Sequence, residues 1–243
     1  MAQLPPPQAA RAAIIFDADG TLLDSLLPHI EFCRALAAQH PELLVCVPRA
    51  DELDACRALA AAPMQSFLAN AGFPADRLEA FVAEYEATFA SRFPTPPFEG
   101  VGDLLTTLGE LRDAGLRLVI VSSNTSANVR RGFAHFDEVD LLEHFDFVWG
   151  IDNARLEKRQ SIADALLTLG VAPDRAVYVG DTRKDCASAV ANGVQFIGVD
   201  YGFEDLVAAK AEGALPGCDA VVVSPAELRR VLLAWWESAA LPS

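Results

Sequence analysis

Short apolar runs alternate with helix-length segments through most of this chain, and few folds accommodate that rhythm. The runs lie in AAIIFDADG (12–20), LRLVIVSSN (116–124), FDFVWG (145–150), RAVYVGD (175–181), VQFIGVD (194–200) and DAVVVS (219–224). Each is short and nearly continuous, and most close on Asp, Asn, Ser or Gly, the pattern of strands buried on both faces. Between them the spacing predicts helices near 101–114 (ended by Gly115), 126–134, 158–169 (ended by Gly170) and 184–192 (stopping at Asn192 and Gly193). A last helix contains PAELRRVLLAWWE. Strands separated by helices of this length require an α/β fold, a parallel sheet with helices on both faces.

Residues 26 to about 92 break the rhythm. LLPHIEFCRALAAQH, DELDACRALAAAPMQSFLANAG and PADRLEAFVAEYEATFASRF are Ala- and Leu-rich, helix-length and free of a convincing strand. They read as a helical insertion that ends at the turn signals of PTPPFEG, 94–100. The expected division is a core of 1–22 and 95–243 with a cap of 23–94. The first ten residues, with Pro5 to Pro7, read as a loose arm.

Composition narrows the function. The 243 residues are 52% apolar, which excludes a disordered chain. Acidic residues number 34 against 19 basic, a net charge of -15 that repels nucleic acid and anionic membranes. A small anionic substrate stays open, because a local cation or a row of backbone N–H groups outweighs a distant field. The five cysteines form no CxxC pair, which favours a reducing compartment and argues against a zinc knuckle. They read as small core hydrophobes. No secretory signal and no run of roughly 18 apolar residues is present, so the expected location is cytoplasmic and no membrane partner is expected. The expected assembly is a monomer or homodimer.

In open α/β sheets, ligands bind beyond the carboxyl ends of the strands. Three polar segments fall there: Asp17 and Asp19, then Ser122 to Asn124, then Gly180 and Asp181. Two carboxylates at i and i+2 repel unless a cation sits between them or one holds a proton. Mg²⁺ suits the first case, with its preference for hard oxygen ligands, and Asp181 and Asp185 can complete the set. Gly20 lets the chain turn sharply and present amides; Ser122 can donate to an oxyanion, and amides around Ser123 and Asn124 can cradle one. Thr21 either binds phosphate through its hydroxyl or packs the turn. Acidic ligands facing neutral donors fit a phosphoryl group, and Lys158 supplies a compact positive charge for it. The bland readings are a strand-end turn at Asp17 and Asp19, helix capping by Ser122 and Asp185, and a solvated Lys158.

Asp17-Ala18-Asp19-Gly20-Thr21, then Ser122, then Lys158, then Gly180-Asp181-Thr182-Arg183-Lys184-Asp185 occur in an order and spacing that resemble the four motifs of the haloacid dehalogenase superfamily. The likeness is to its phosphatase branch with a helical cap after the first motif, similar to phosphoglycolate phosphatase, and it implies a Rossmann-like core. By that resemblance Asp17 is the nucleophile of a phosphoaspartyl route and Asp19 the acid and base. Mg²⁺ is held by Asp17, the Asp19 carbonyl and Asp181, with Asp185 nearby; Ser122 and Lys158 bind phosphoryl oxygens. Gly20, Thr21, Ser123 and Asn124 complete the substrate-binding set. The third motif is often Lys-Pro, whereas here Lys158 is followed by Arg159 and Gln160, with Arg155 and Arg159 as stand-ins. The expected substrate is a small phosphorylated metabolite. The alternatives are a sugar phosphomutase with the same nucleophile and a noncatalytic phosphate-binding regulatory protein. In the cap, Arg34, Arg49, Arg57 and His29 are the polar candidates for reading a leaving group, no rule in the sequence selecting which face inward, and His29 has ordinary packing as its other reading.

Overall fold

Six strands pair side by side, all parallel, in the order β3-β2-β1-β4-β5-β6. They are β1 (Ala12–Phe16), β2 (Leu116–Val121), β3 (Phe147–Trp149), β4 (Ala176–Gly180), β5 (Gln195–Val199) and β6 (Cys218–Val222). The computed structural model describes residues 11–61, 63–134, 140–152 and 157–240. The expected N-terminal arm and Arg155 lie outside the described residues.

β1 and β4 are buried at every position, so side chains of both parities need cover. Ala12, Ile14 and Phe16 face α5 (Val101–Gly109) and α10 (Pro225–Ala240), through Leu104, Leu108, Leu228, Leu232 and Trp236. Ala13, Ile15 and Tyr178 face α7 (Lys158–Leu169), α8 (Arg183–Val190) and α9 (Leu206–Ala211), through Ile162, Leu166, Ala189 and Leu206. Helices on both faces explain why the strands read as continuous apolar runs and not as alternating ones. α6 (Ser126–Phe133) follows β2 and packs beside β3. The chain starts in the sheet centre, builds outward to β3, then returns to β4 on the other side of β1. This reversal makes a crevice beyond the carboxyl ends of β1 and β4.

Residues 26–92 hold α1 (Leu26–Gln39), α2 (Leu53–Leu59), α3 (Met64–Asn70) and α4 (Leu78–Arg92). Their apolar faces form a cluster of their own around Phe32, Leu36, Phe67, Phe81, Tyr85 and Phe89. The stretch DELDACRALAAAPMQSFLANAG, read as one helix-length segment, is two helices. Pro63 lacks an N–H and disfavours a helical residue before it, so it serves as the N-cap of α3 instead of continuing α2. The helix expected to reach 114 ends as an α-helix at Gly109; a 3-10 turn at Arg112–Ala114 leads into Gly115, whose φ is 102°. Among the cysteines Cys33, Cys56 and Cys186 are buried as expected, whereas Cys46 is exposed; all five are free thiols. Trp236 is buried in the core, and Trp235 donates its indole N–H to Gln195. Among the described residues no helix is long and apolar enough to cross a membrane.

Candidate active site

β1 ends at Phe16, but the pairing continues one residue further, with the Asp17 N–H donating to the Val179 carbonyl at 2.8 Å. The backbone then folds tightly: the amides of Leu22 and Leu23 both donate to the Ala18 carbonyl at 2.9 Å. Gly20 takes φ 77° in this turn, and a Cβ there would run into the Asp181 carboxylate. Glycine is therefore required both by conformation and by the closeness of the β4 loop.

Asp17 is 6% exposed and fully engaged. Its Oδ1 accepts from the Ala18 amide at 2.8 Å and its Oδ2 from Lys158 Nζ at 2.7 Å. The same ammonium reaches Asp185 Oδ1 at 2.5 Å, so Lys158, on the first turn of α7, bridges an acid of the β1 loop and one on the first turn of α8. Asp185 also caps α8: its Oδ2 accepts from the Thr182 amide and hydroxyl at 3.1 and 2.7 Å, in a reciprocal capping box. One side chain thus both caps α8 and meets the Lys158 ammonium. Asp181 is wholly buried, its Oδ2 accepting from the Phe203 amide at 2.8 Å and its Oδ1 from Thr21 Oγ1 at 3.3 Å.

One oxygen from each of Asp17, Asp181 and Asp185 lies within 4.8 Å of the others. Three buried carboxylates against one ammonium leave negative charge uncompensated. Burial pushes Asp17 up to about 7, although Lys158 pulls it down. Burial, then the charges of Asp185 and Asp17, hold Asp181 well above the ordinary carboxylate range. For Lys158 burial favours the neutral amine, but Asp17 and Asp185 outweigh it and keep the ammonium charged. A crowded all-oxygen donor set with surplus negative charge fits a hard divalent cation.

Asp19 faces elsewhere. Its Oδ2 accepts from Asn124 Nδ2 at 3.0 Å, and Asn124 is oriented by the Thr125 amide and Asn128 Nδ2, which both donate to its Oδ1. The Asn124 amide donates to Ser122 Oγ at 3.0 Å, so this asparagine contacts Asp19 and Ser122 and is not simply an open backbone cradle. Thr125, not Ser122, caps α6. Ser122 and Ser123 line a cavity of 690 Å³ together with Asp17, Asp19, Lys158, Asp181 and Asp185. Arg159 lines it too, while Lys158 makes the ion pairs. Gly20 and Thr21 are buried in the turn, and Thr21 reaches Asp181.

Of the four polar cap residues singled out in the sequence, only His29 lines this cavity. Arg34 donates to the Pro48 carbonyl, Arg49 pairs with Asp51 and Glu52, and Arg57 donates to the Asp200 carbonyl at 3.0 Å. His29 stacks on Phe89 with ring centroids 4.6 Å apart and shares a 3.0 Å hydrogen bond with the Tyr85 hydroxyl. Tyr85, Phe67 and Phe203 complete the wall. No pattern in the residues marks them: Tyr85 recurs with Phe81 and Phe89 at helical spacing, which reads as core.

Two outcomes follow from this geometry. Gly20→Ala should lower stability by about 1–3 kcal/mol and displace Asp181, read as a fall in denaturation midpoint together with weakened divalent-cation binding in a titration. Burial lowers the His29 pKa below its ordinary 6.5, against the pull of Asp19. As pH falls through 6.5 the unfolded chain therefore takes up a proton that the folded protein resists, and stability drops with acid. The loss of stability between neutral pH and pH of about 5 should be smaller in His29→Phe than in the parent; equal losses would exclude His29 as a contributor.

Comparison with known proteins agrees with this geometry. Residues 14–199 match the family model for haloacid dehalogenase-like hydrolases. A tyrosine-protein kinase, PtkA of Mycobacterium tuberculosis, is 34% identical over 201 residues, 81% of this chain but 65% of that protein, so this chain spans under two thirds of that relative's length. The phosphoglycolate phosphatase of Caulobacter vibrioides is 32% identical over 202 residues, 80% of this chain and 81% of that one. In fold, a haloacid dehalogenase-like hydrolase from Streptococcus pneumoniae superposes with a TM-score of 0.74 at 22% identity, covering 91% of this chain and 98% of its own. With its parallel sheet, its acidic strand ends and a family match across most of its length, the chain belongs to the haloacid dehalogenase-like hydrolases.

Proposed function

We propose that this protein is a Mg²⁺-dependent phosphatase of small phosphate monoesters, working through a phosphoaspartate on Asp17. The observation that carries the reading is the buried Lys158 ammonium bridging Asp17 and Asp185 beside Asp181, at the carboxyl ends of β1 and β4. Phosphatase relatives of similar length, such as the one from Caulobacter vibrioides, support it.

In this reading the Asp17 carboxylate attacks phosphorus, and the P–O bond to the alcohol breaks as the new P–O bond forms. Lys158, already within 2.7 Å of Asp17, lies where the transferring oxygens arrive and offsets their charge. The Ser122 hydroxyl, at the end of β2, donates to another of these oxygens, with Ser123, Asn124 and the Gly20–Thr21 turn around the same group. Asp19, held by Asn124, delivers a proton to the departing alcohol and then takes one from the water that cleaves the acyl phosphate. Asp17, Asp181 and the Asp19 carbonyl, with Asp185 close by, would hold Mg²⁺; when bound, it supplies charge stabilisation to the phosphoryl oxygens. Residues 23–94 act as a cap, closing over the core of 1–22 and 95–243 to exclude bulk water.

A second reading moves the phosphoryl group to an acceptor other than water, as in a phosphomutase; the name of the Mycobacterium relative favours keeping it. Mass balance separates the two, since transfer conserves ester phosphate while hydrolysis releases it.

With a panel of phosphate esters, phosphate release should require Mg²⁺, stop on chelation and return on adding the ion back. Asp17→Asn should reduce it by at least about a thousandfold with an unchanged far-ultraviolet spectrum; full turnover in that variant removes Asp17 as nucleophile, and no turnover by the parent favours a noncatalytic binding protein. Asp19→Asn should release one equivalent of 4-nitrophenolate from 4-nitrophenyl phosphate and then turn over slowly, because that leaving group needs no proton whereas the second step still needs a base. A linear, burst-free time course at the parent rate would sink the assignment of Asp19.

A further inference from the structure

We infer that the ester taken by this site has an uncharged alcohol part with an aromatic or similarly broad apolar face. The inference rests on the phosphatase reading, since only then does the cavity beyond Asp17 hold a leaving alcohol.

The cavity of 690 Å³ has two unlike ends. At one end are the carboxylates, Lys158 and Ser122. The wall that α1, α3, α4 and their connections build opposite is lined by Pro63, Met64, Phe67, Tyr85 and His29, facing Phe203 from the loop after β5. His29 lies edge-on to Phe203 with centroids 6.3 Å apart and 5.7 Å from Phe67, so three rings from separate segments form one surface. The Tyr85 hydroxyl is bonded to His29 Nε2 at 3.0 Å, His29 Nδ1 is buried without a hydrogen-bond partner, and burial keeps that imidazole toward its neutral form.

The helical segment also withholds every cation it owns. Residues 23–94 contain no lysine and five arginines. Arg34 lies on the Pro48 carbonyl, Arg49 on Asp51 and Arg57 on the Asp200 carbonyl; Arg77 and Arg92 sit over the rings of Phe81 and Phe93 at 5.1 and 5.6 Å. None of the five lines the cavity. Among the described residues the remaining lining cations, Arg159 and Lys184, are exposed and belong to α7 and α8 on the core side, not to this wall. A carboxylate on the leaving alcohol would be stripped of water against this wall without a partner, which is costly. An aryl or benzyl group would instead replace water on apolar surface and meet ring edges and faces at stacking distance.

The test compares kcat/KM with Mg²⁺ for benzyl phosphate, glycerol 3-phosphate and phosphoglycolate, all esters of primary alcohols, so that leaving-group chemistry is held nearly constant. Benzyl phosphate should lead phosphoglycolate by roughly tenfold or more. Phe203→Ala should shrink that lead chiefly through KM for benzyl phosphate. Ala61→Arg, which puts a cation at the edge of the apolar wall, should shrink it by improving phosphoglycolate. Equal or better turnover of phosphoglycolate or glycerol 3-phosphate by the parent overturns the inference and leaves the phosphatase reading standing. Absence of Mg²⁺-dependent phosphate release from all three and from 4-nitrophenyl phosphate overturns the reading itself.

Discussion

One ammonium group lies between two carboxylates in a place from which water is largely excluded, and most of the molecule serves to keep it there. Lys158 brings the start of α7 to Asp17 on the β1 loop and to Asp185 on α8, with side-chain exposures of 12%, 9% and 0%. Breaking such a pair in the interior leaves a bare charge, so the β1 loop and the starts of α7 and α8 are interdependent. The strand order puts β1 and β4 side by side, and the turn at Gly20 brings the chain close enough to Asp181 to exclude even a methyl group. Surplus negative charge is the cost of that convergence, and it makes a donor set that fits a divalent cation.

Much of this was legible in the residues. A strand buried on both faces announces itself as a continuous apolar run, and the acids that end two such runs had to lie on one edge once all strands ran parallel. Lys158 was legible as a compact positive charge for a phosphoryl group, whereas its need for carboxylate partners at the unfavourable first turn of a helix was not. The chain supplies two.

What stayed hidden depends on contacts between segments far apart in sequence. The orientation of Asn124 toward Asp19 depends on Thr125 and Asn128 holding its oxygen, and no spacing encodes which end of an amide faces which neighbour. The pairing of His29 with Tyr85 spans two helices, and each residue alone looks like packing. The break between α2 and α3 was visible as Pro63, yet an Ala-rich context masked it. The arginines of residues 23–94 illustrate a second failure: charge in the sequence suggested ligand contacts, while carbonyls, carboxylates and ring faces had already taken them.

Phe203 joins the two halves of the cavity in a single residue. Its backbone N–H steadies Asp181, while its ring packs against the cluster formed by the helices of residues 26–92 and meets His29 edge-on. Lifting those helices away would unload that ring and slacken the peptide that aims the carboxylate. A single residue thus links the apolar wall to the acidic cluster, with its ring in one and its peptide in the other.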